Sequence, residues 1–172
     1  MIYRVRFIGV CGACVCLLFG GCMVRTAGLS SQKAELIALI QRLPSTGDGI
    51  TPESGPQLAP YLPALLALTE EDLAEFDNDI YPFVAVLSIL FQTPDHREYV
   101  VQHFADIRHP DLQLFVAAAL FDMDLATNDI VHFLRLAMEN DADKTRLAEI
   151  IGPGFKMFES SLSSHELSTG NP

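Results

Sequence analysis

Cysteine is confined to the first 22 residues of the chain and is absent from the rest. The four cysteines are Cys11, Cys14, Cys16 and Cys22. Beyond Cys22 the chain therefore forms no disulfide and offers no thiolate as a nucleophile or metal ligand. Cys11 and Cys14 have the CxxC spacing of a redox pair or half a zinc site, but no second ligand pair accompanies them. The stability of the folded body must come from packing.

Basic residues are scarce, and tryptophan is missing. The chain has 11 Lys and Arg against 22 Asp and Glu. Arg4 and Arg6 precede Cys22, whereas every acidic residue follows it, so the chain from Cys22 onward has a formal charge of −13. A surface of this sign repels nucleic acid and anionic lipid, and no basic patch with interleaved aromatic residues is present. These features argue against nucleic-acid binding.

Apolar runs long enough to span a membrane are also missing. A transmembrane helix needs about 20 apolar residues. The longest candidate, Ile8–Phe19, has about a dozen, the length of a signal-peptide core, and the two arginines stand before it. Two glycines then precede Cys22. We interpret residues 1–21 as a signal peptide that is cleaved between Gly21 and Cys22.

The segment Leu18-Phe19-Gly20-Gly21-Cys22 resembles the lipobox of bacterial lipoproteins, with Phe19 where the family pattern has an aliphatic residue. The resemblance implies that Cys22 becomes the N-terminal residue and carries a diacylglyceryl thioether and an amide-linked acyl chain such as palmitate. Each buried CH₂ adds roughly 0.8 kcal/mol, so one chain binds marginally and two or three bind firmly. The alternatives are an uncleaved anchor and an ordinary secretory signal.

The remaining chain is long enough for one domain with a substantial core. We predict a tether over residues 22–29 and an all-α domain over residues 30–162. Gly, Pro, Ser and Thr are dense in residues 45–56, which predicts a flexible loop. The polar residues 163–172 predict a disordered tail.

Helix start signals recur throughout the predicted domain. The run from Ile80 to Gln92 is apolar enough for a buried strand, but its length and Pro82 near its start favour a buried helix. Gly152-Pro153-Gly154 predicts a break. Helices are expected to begin at Ser30 or Ser31, Pro60, Thr69, Ile80, Thr93-Pro94-Asp95, His109-Pro110-Asp111, Thr127-Asn128-Asp129, Ala142 and Phe155.

Helical hairpins are predicted at intervals of about thirty residues, most clearly over Pro110–Asn140. Residues 94–151 resemble HEAT-like repeats. The likeness lies in His109-Pro110-Asp111, Ala117-Ala118-Ala119-Leu120 and Asn140-Asp141-Ala142-Asp143, although Phe115-Val116 stands where such repeats often have Val-Arg. The resemblance implies hairpins stacked as a short solenoid. An irregular helical bundle is the alternative, and both folds are all-α.

The sequence contains no motif that predicts a catalytic, cofactor or metal site. GxSxG and the glycine-rich phosphate-binding motifs are absent. Asp77-Asn78-Asp79 begins like a calcium loop, but Pro82 occupies the glycine position and Ser88 the closing glutamate position. His96 and His103 lie on one helix face, two turns apart, which is too far for both to bind one metal ion without a ligand from another segment. We expect surface or capping roles for His96, His103, His109, His132 and His165.

These features together predict a lipid-anchored, non-enzymatic interaction or adaptor protein, facing the periplasm of a bacterial envelope. Met23 follows Cys22 in place of the Asp that resembles an inner-membrane retention signal in enteric bacteria, which favours the outer membrane. The expected partner is an envelope protein. The first alternative is an inhibitor or immunity-type lipoprotein that neutralises a periplasmic toxin or hydrolase, and the second is an enzyme without a readable motif.

The aromatic-rich helices carry apolar residues around their whole circumference. This applies to Phe83–Phe91 and to Phe115–Phe121. Such helices are either wholly buried or have one side that meets a partner. We favour burial.

Overall fold

The fold is all-α, as the sequence predicts, and is consistent with a helical bundle, one of the two all-α arrangements that the sequence left open. A computed structural model describes residues 13–42, 55–76 and 79–169, and these contain helices and no strand. The helices, in chain order, are α1 (Ala13–Arg42), α2 (Gly55–Leu58), α3 (Leu62–Leu66), α4 (Glu70–Leu73), α5 (Tyr81–Leu90), α6 (Pro94–Gln102), α7 (Pro110–Asp122), α8 (Asn128–Glu139), α9 (Asp141–Ile151) and α10 (Phe155–Thr169). Short 3-10 turns occupy Ala59–Tyr61, Ala74–Phe76, Phe104–Asp106 and Gly152–Gly154.

Most helices begin where the sequence predicts, and their first turns show why. A proline lies in the first turn of α5, α6 and α7, where its missing N–H costs no hydrogen bond. Thr127 Oγ1 accepts a hydrogen bond from the amide of Ile130 at the start of α8. Asn140 Oδ1 accepts bonds from two amides at the start of α9, at 3.0 and 3.1 Å. These local contacts satisfy amides that have no partner inside the helix.

The core of the bundle centres on α7, which packs against both α8 and α9, while α8 and α9 also pack on each other. Small side chains at Ala117 and Ala118 are buried and let the neighbouring helices approach closely. The other buried side chains of these helices are Leu112, Leu114, Val116, Leu120, Ile130, Val131, Leu134, Ala137 and Leu147. One side of α7 stays only half-buried, at Phe115, Ala119 and Phe121, so burial of this helix is incomplete.

The chain turns sharply after α7 without a glycine. Asp124 has a positive φ of 57°, and its amide donates to the carbonyl of Phe121 at 3.0 Å. The amide of Leu125 donates to the carbonyl of Leu120 at 2.8 Å. This pair of bonds is the Schellman arrangement, which satisfies the last carbonyls of a helix and redirects the chain. It brings α8 back against α7 as a hairpin.

The first helix is longer than predicted. Its expected start at Ser30 or Ser31 is wrong, because α1 begins at Ala13 and continues through residues 22–29. Ser31 does not cap a helix end, since its hydroxyl donates to Glu35 Oε1 one turn further on, at 3.2 Å. The segment before it contains no proline that would stop an established helix from extending. In the part of the chain that the structure describes, no helix combines the length and apolar character needed to cross a membrane.

The loop and the tail also differ from prediction. The predicted loop over residues 45–56 ends early, because α2 starts at Gly55; residues 45–54 lie outside the described part. The predicted disordered tail is wrong for residues 163–169, which continue α10. Buried Leu162 holds this helix to the core. The hydroxyl of Ser163 donates to the carbonyl of Glu159 at 2.9 Å, so a serine-rich segment satisfies its polar groups within the helix.

An ion pair joins α1 to α4. Lys33 Nζ lies 2.7 Å from Asp72 Oδ2, and both side chains are mostly buried. The same carboxylate accepts hydrogen bonds from the amide and hydroxyl of Thr69, completing a capping box. Burial alone would raise the pKa of Asp72, but the hydrogen bonds from Lys33 and Thr69 outweigh it and hold that pKa below the ordinary value of 3.8.

Replacing Asp72 should therefore loosen both α4 and its connection to α1. We expect Asp72→Ala to lower the free energy of unfolding by about 1–2 kcal/mol. A depressed carboxyl pKa stabilises the fold fully above the unfolded value of 3.8 and loses this effect as the pH falls through the folded value. Urea titrations at neutral and acidic pH would measure both effects. Glu71→Ala, an exposed change in the same turn, is the matched control, and an equal loss there would contradict the prediction.

Candidate binding groove

A surface groove runs between α7, α9 and α10. Its larger part, which we name the apolar compartment, has a volume of about 420 Å³. Met157 stands at its edge with 75% of its surface exposed. The lining residues come from the half-buried side of α7, the end of α9 and the first turns of α10: Phe115, Ala118, Ala119, Phe121, Asp122, Ile150, Ile151, Gly154, Met157, Phe158 and Ser161.

The apolar compartment exists because small residues face large ones across it. Ala118 and Ala119 leave space on α7, while Phe158 of α10 packs edge-on against Phe121, with ring centroids 5.5 Å apart. Such aromatic contacts fix the separation of two helices. Lys144 Nζ also donates to Glu159 Oε1 at 2.7 Å and joins α9 to α10. These two contacts fix α10 against α7 and α9 beside the groove.

A second, smaller part of the groove has a different character. This acidic compartment, between the start of α5, α7 and α9, has a volume of about 210 Å³, and it adjoins the apolar compartment, with which it shares Phe115 and Ile150. Its polar side chains are three carboxylates, one guanidinium and one phenol. Its complete lining is Asp79, Ile80, Tyr81, Val84, Asp111, Phe115, Arg146, Glu149 and Ile150.

The charges of the acidic compartment are only partly balanced. Arg146 Nη1 lies 3.7 Å from Asp111 Oδ1. No lysine or arginine of the described residues forms an ion pair with Asp79 or Glu149. Asp79 Oδ1 instead accepts a hydrogen bond from the amide of Tyr81 at 2.9 Å, which orients that carboxylate. The compartment therefore retains a net negative charge beside its apolar lining residues.

His109 is buried where α7 begins, two residues before Asp111 of the acidic compartment. It is only 2% exposed, and neither ring nitrogen has a hydrogen-bond partner in the described part of the chain. Burial lowers the pKa of His109 below its ordinary value of 6.5; Asp111 and Glu70 oppose this effect, and Arg146 adds to it. The expectation of a surface or capping role is wrong for this histidine, since it occupies the cap position of α7 without making a cap hydrogen bond.

The other four histidines lie apart from one another and do not line either compartment. His96 Nδ1 donates to the carbonyl of Leu90 at 3.1 Å, at the end of α5. His103 Nδ1 lies 3.0 Å from Asp106 Oδ2, a local contact at the end of α6. His132 is exposed on α8, and the ring of His165 lies against Phe121.

Among the described residues, no three His, Cys, Asp or Glu side chains come close enough together to hold a metal ion. Of the rejected calcium-loop triplet, Asp77 and Asn78 lie outside the described part, and Asp79 lines the acidic compartment. Cys22, the predicted lipid attachment residue, belongs to α1, and its side chain is outside the described part.

The groove combines apolar surface, partly unbalanced carboxylates and an exposed tyrosine, groups that contact a ligand through burial and charge. The sequence did not reveal this groove, because its walls come from distant segments. The available signal was the apolar surface that surrounds α7.

The fold is a helical bundle with an open groove whose lining is apolar in one part and acidic in the other. In comparisons with known proteins, no family model, no curated protein and no solved structure matches the chain.

Proposed function

We propose that the protein is a membrane-anchored binding protein, with a lipid on Cys22 and a groove that holds another envelope protein. It acts as a non-enzymatic adaptor on the periplasmic side of a bacterial envelope, at the outer membrane in preference to the inner one. The observation that carries this proposal is the open groove between α7, α9 and α10. The lipoprotein-like segment ending at Cys22 supports the anchoring.

The groove supports binding because its exposed apolar atoms gain free energy when they leave water. Burial of apolar surface contributes about 25 cal/mol per Å², and a groove concentrates that gain at a few side chains of the partner. It is also physically consistent that the lipid supplies membrane attachment while the groove supplies partner binding. The body from Cys22 onward carries −13 charges and is repelled by anionic lipid, so acyl chains must supply the membrane affinity.

The alternative function is an inhibitor or immunity-type lipoprotein that neutralises a toxin or hydrolase in the periplasm. The acidic compartment favours this candidate, because unbalanced carboxylates attract a basic enzyme and raise its rate of association. Both candidates use the same groove. They differ in what the partner does, so identification of the captured protein separates them.

Crosslinking in native membranes tests the proposal with four proteins: wild type, Cys22→Ser, Ala119→Leu and Ala142→Leu. Ala119 lines the apolar compartment, so a leucine there fills it, whereas Ala142 is exposed at the start of α9 and serves as the control. We expect one partner with wild type and Ala142→Leu, and its loss with Ala119→Leu. We expect Cys22→Ser to lose acylation and leave the membrane fraction.

Two results would overturn the proposal. A fatty-acid label that enters Cys22→Ser as strongly as wild type would remove the lipid anchor. Capture of the same proteins by Ala119→Leu and wild type would remove the groove as the binding surface. Circular dichroism of each variant shows whether its helices are intact.

A further inference from the structure

The groove changes chemistry along its length, and this change indicates what it binds. The apolar compartment of about 420 Å³ adjoins the acidic compartment of about 210 Å³ at Phe115 and Ile150, which line both. A ligand that fills the whole groove must therefore be apolar over most of its contact surface and positively charged at one end.

The acidic compartment has an excess of negative charge and therefore favours a positively charged group. Arg146 lies beside Asp111, which leaves Asp79 and Glu149 as the carboxylates without an ion pair among the described residues. Both line the acidic compartment and are exposed to solvent. Because a carboxylate pair of this kind attracts a cation, a lysine or arginine side chain is the complementary group.

The apolar residues of the acidic compartment suit the rest of such a side chain. Ile80 and Val84 line the same compartment as the carboxylates and can pack against the methylene groups of lysine or arginine. Tyr81, which is 65% exposed at the start of α5, adds an aromatic face for the charged head. A simple cation would use only the carboxylates and leave these apolar contacts empty.

We propose that the groove binds an amphipathic helix of a partner protein, with bulky apolar side chains in the apolar compartment and a lysine or arginine one turn away in the acidic compartment. This inference rests on the proposed function. Residues three or four positions apart lie on one face of a helix, which matches two adjoining compartments. A second copy of this chain is a poorer occupant, because its charge has the same sign.

A defined peptide tests the inference without knowledge of the natural partner. The probe is a synthetic helix of about five turns, with leucines and one tryptophan on its apolar face and two lysines at one end of that face. The protein is the full chain in nanodiscs of zwitterionic phosphatidylcholine, and empty nanodiscs provide the background. Because the chain has no tryptophan, it adds no tryptophan emission of its own, and the empty nanodiscs give the signal from their scaffold protein and from probe bound to lipid.

Two charge-matched variants examine the acidic compartment. Asp79→Asn with Glu149→Gln removes its unpaired carboxylates, and Asp95→Asn with Glu98→Gln removes two exposed carboxylates of α6, outside the groove. We expect the first variant to bind the probe about fivefold more weakly at low salt, with less salt dependence. We expect the second to bind like wild type. Ala119→Leu should weaken binding more than about tenfold, and Ala142→Leu should not.

Three outcomes would overturn the inference: equal loss in both charge variants, equal binding of a probe with glutamine in place of its lysines, or wild-type binding no stronger than that of empty nanodiscs. The charge variants change exposed residues, so they test the idea even if Ala119→Leu fails to fold. If Ala119→Leu abolishes crosslinking in membranes but Asp79→Asn with Glu149→Gln leaves the affinity for the probe unchanged, the proposed function stands and the basic helix is excluded. If Ala119→Leu affects neither experiment, both proposals fail.

Discussion

Phe83→Ala is expected to lower the free energy of unfolding by about 3–5 kcal/mol, the usual loss when a buried phenylalanine is truncated. Phe83 of α5 is 0% exposed, and its ring meets that of Phe76 edge-on, with the centroids 5.2 Å apart. Truncation removes the buried apolar surface and leaves a cavity that the packed helices fill only partly.

Urea unfolding followed by circular dichroism would measure this loss as a lower midpoint. Tyr81→Ala is the matched control, because it removes an aromatic ring from the same helix at a largely exposed position. We expect the control to change the unfolding free energy by no more than about 0.5 kcal/mol. Similar losses for the two variants would show that α5 does not bury Phe83 in the way described.

The free energy of unfolding of wild type is expected to fall between neutral pH and about pH 5, and His109→Leu is expected to abolish most of this decrease. The imidazole is buried without a hydrogen-bond partner in the described residues, and burial lowers its pKa. The charged groups around it are Asp111 on α7, Glu70 on α4 and Arg146 on α9. Leucine fills similar space and leaves no unsatisfied nitrogen, so we also expect the variant to be at least as stable as wild type at neutral pH.

The sign of the pH effect follows from the direction of the pKa shift. The unfolded chain takes up a proton near pH 6.5, whereas folded His109 resists protonation until a lower pH. The stabilising contribution is therefore complete above pH 6.5 and is lost as the pH falls from there through the folded pKa. Urea titrations across this range would measure the slope. His132→Leu, at an exposed position on α8, should keep the wild-type slope, and a wild-type slope in His109→Leu would contradict the prediction.

Helix starts were the most predictable part of the fold. Thr69, Thr127 and the prolines of α5, α6 and α7 act within a few residues of themselves, so their effect is visible in the sequence. The all-α class followed from these signals together with the apolar spacing between them. The choice of helix over strand for the run after Ile80 is confirmed by α5.

Helix ends were less predictable, because distant contacts decide them. Serine favours turns and caps in isolation, but Ser31 and Ser163 bond within α1 and α10. Leu162 is buried in the core, and this contact holds α10 in place beyond its predicted end. The burial of His109 was not predictable for the same reason, since nothing in the order His-Pro-Asp indicates whether the ring faces water or the core.

The sequence by itself determined the helical class, most helix starts and the negative charge of the body, because each depends on composition or on residues close together in the chain. Lipid attachment at Cys22 stays a prediction. Only the tertiary structure decided where α10 ends, that His109 is buried and that Asp79, Phe115, Glu149 and Phe158 belong to one groove. These features arise when segments distant in the chain pack together, and their geometry depends on side-chain volumes across several helices at once.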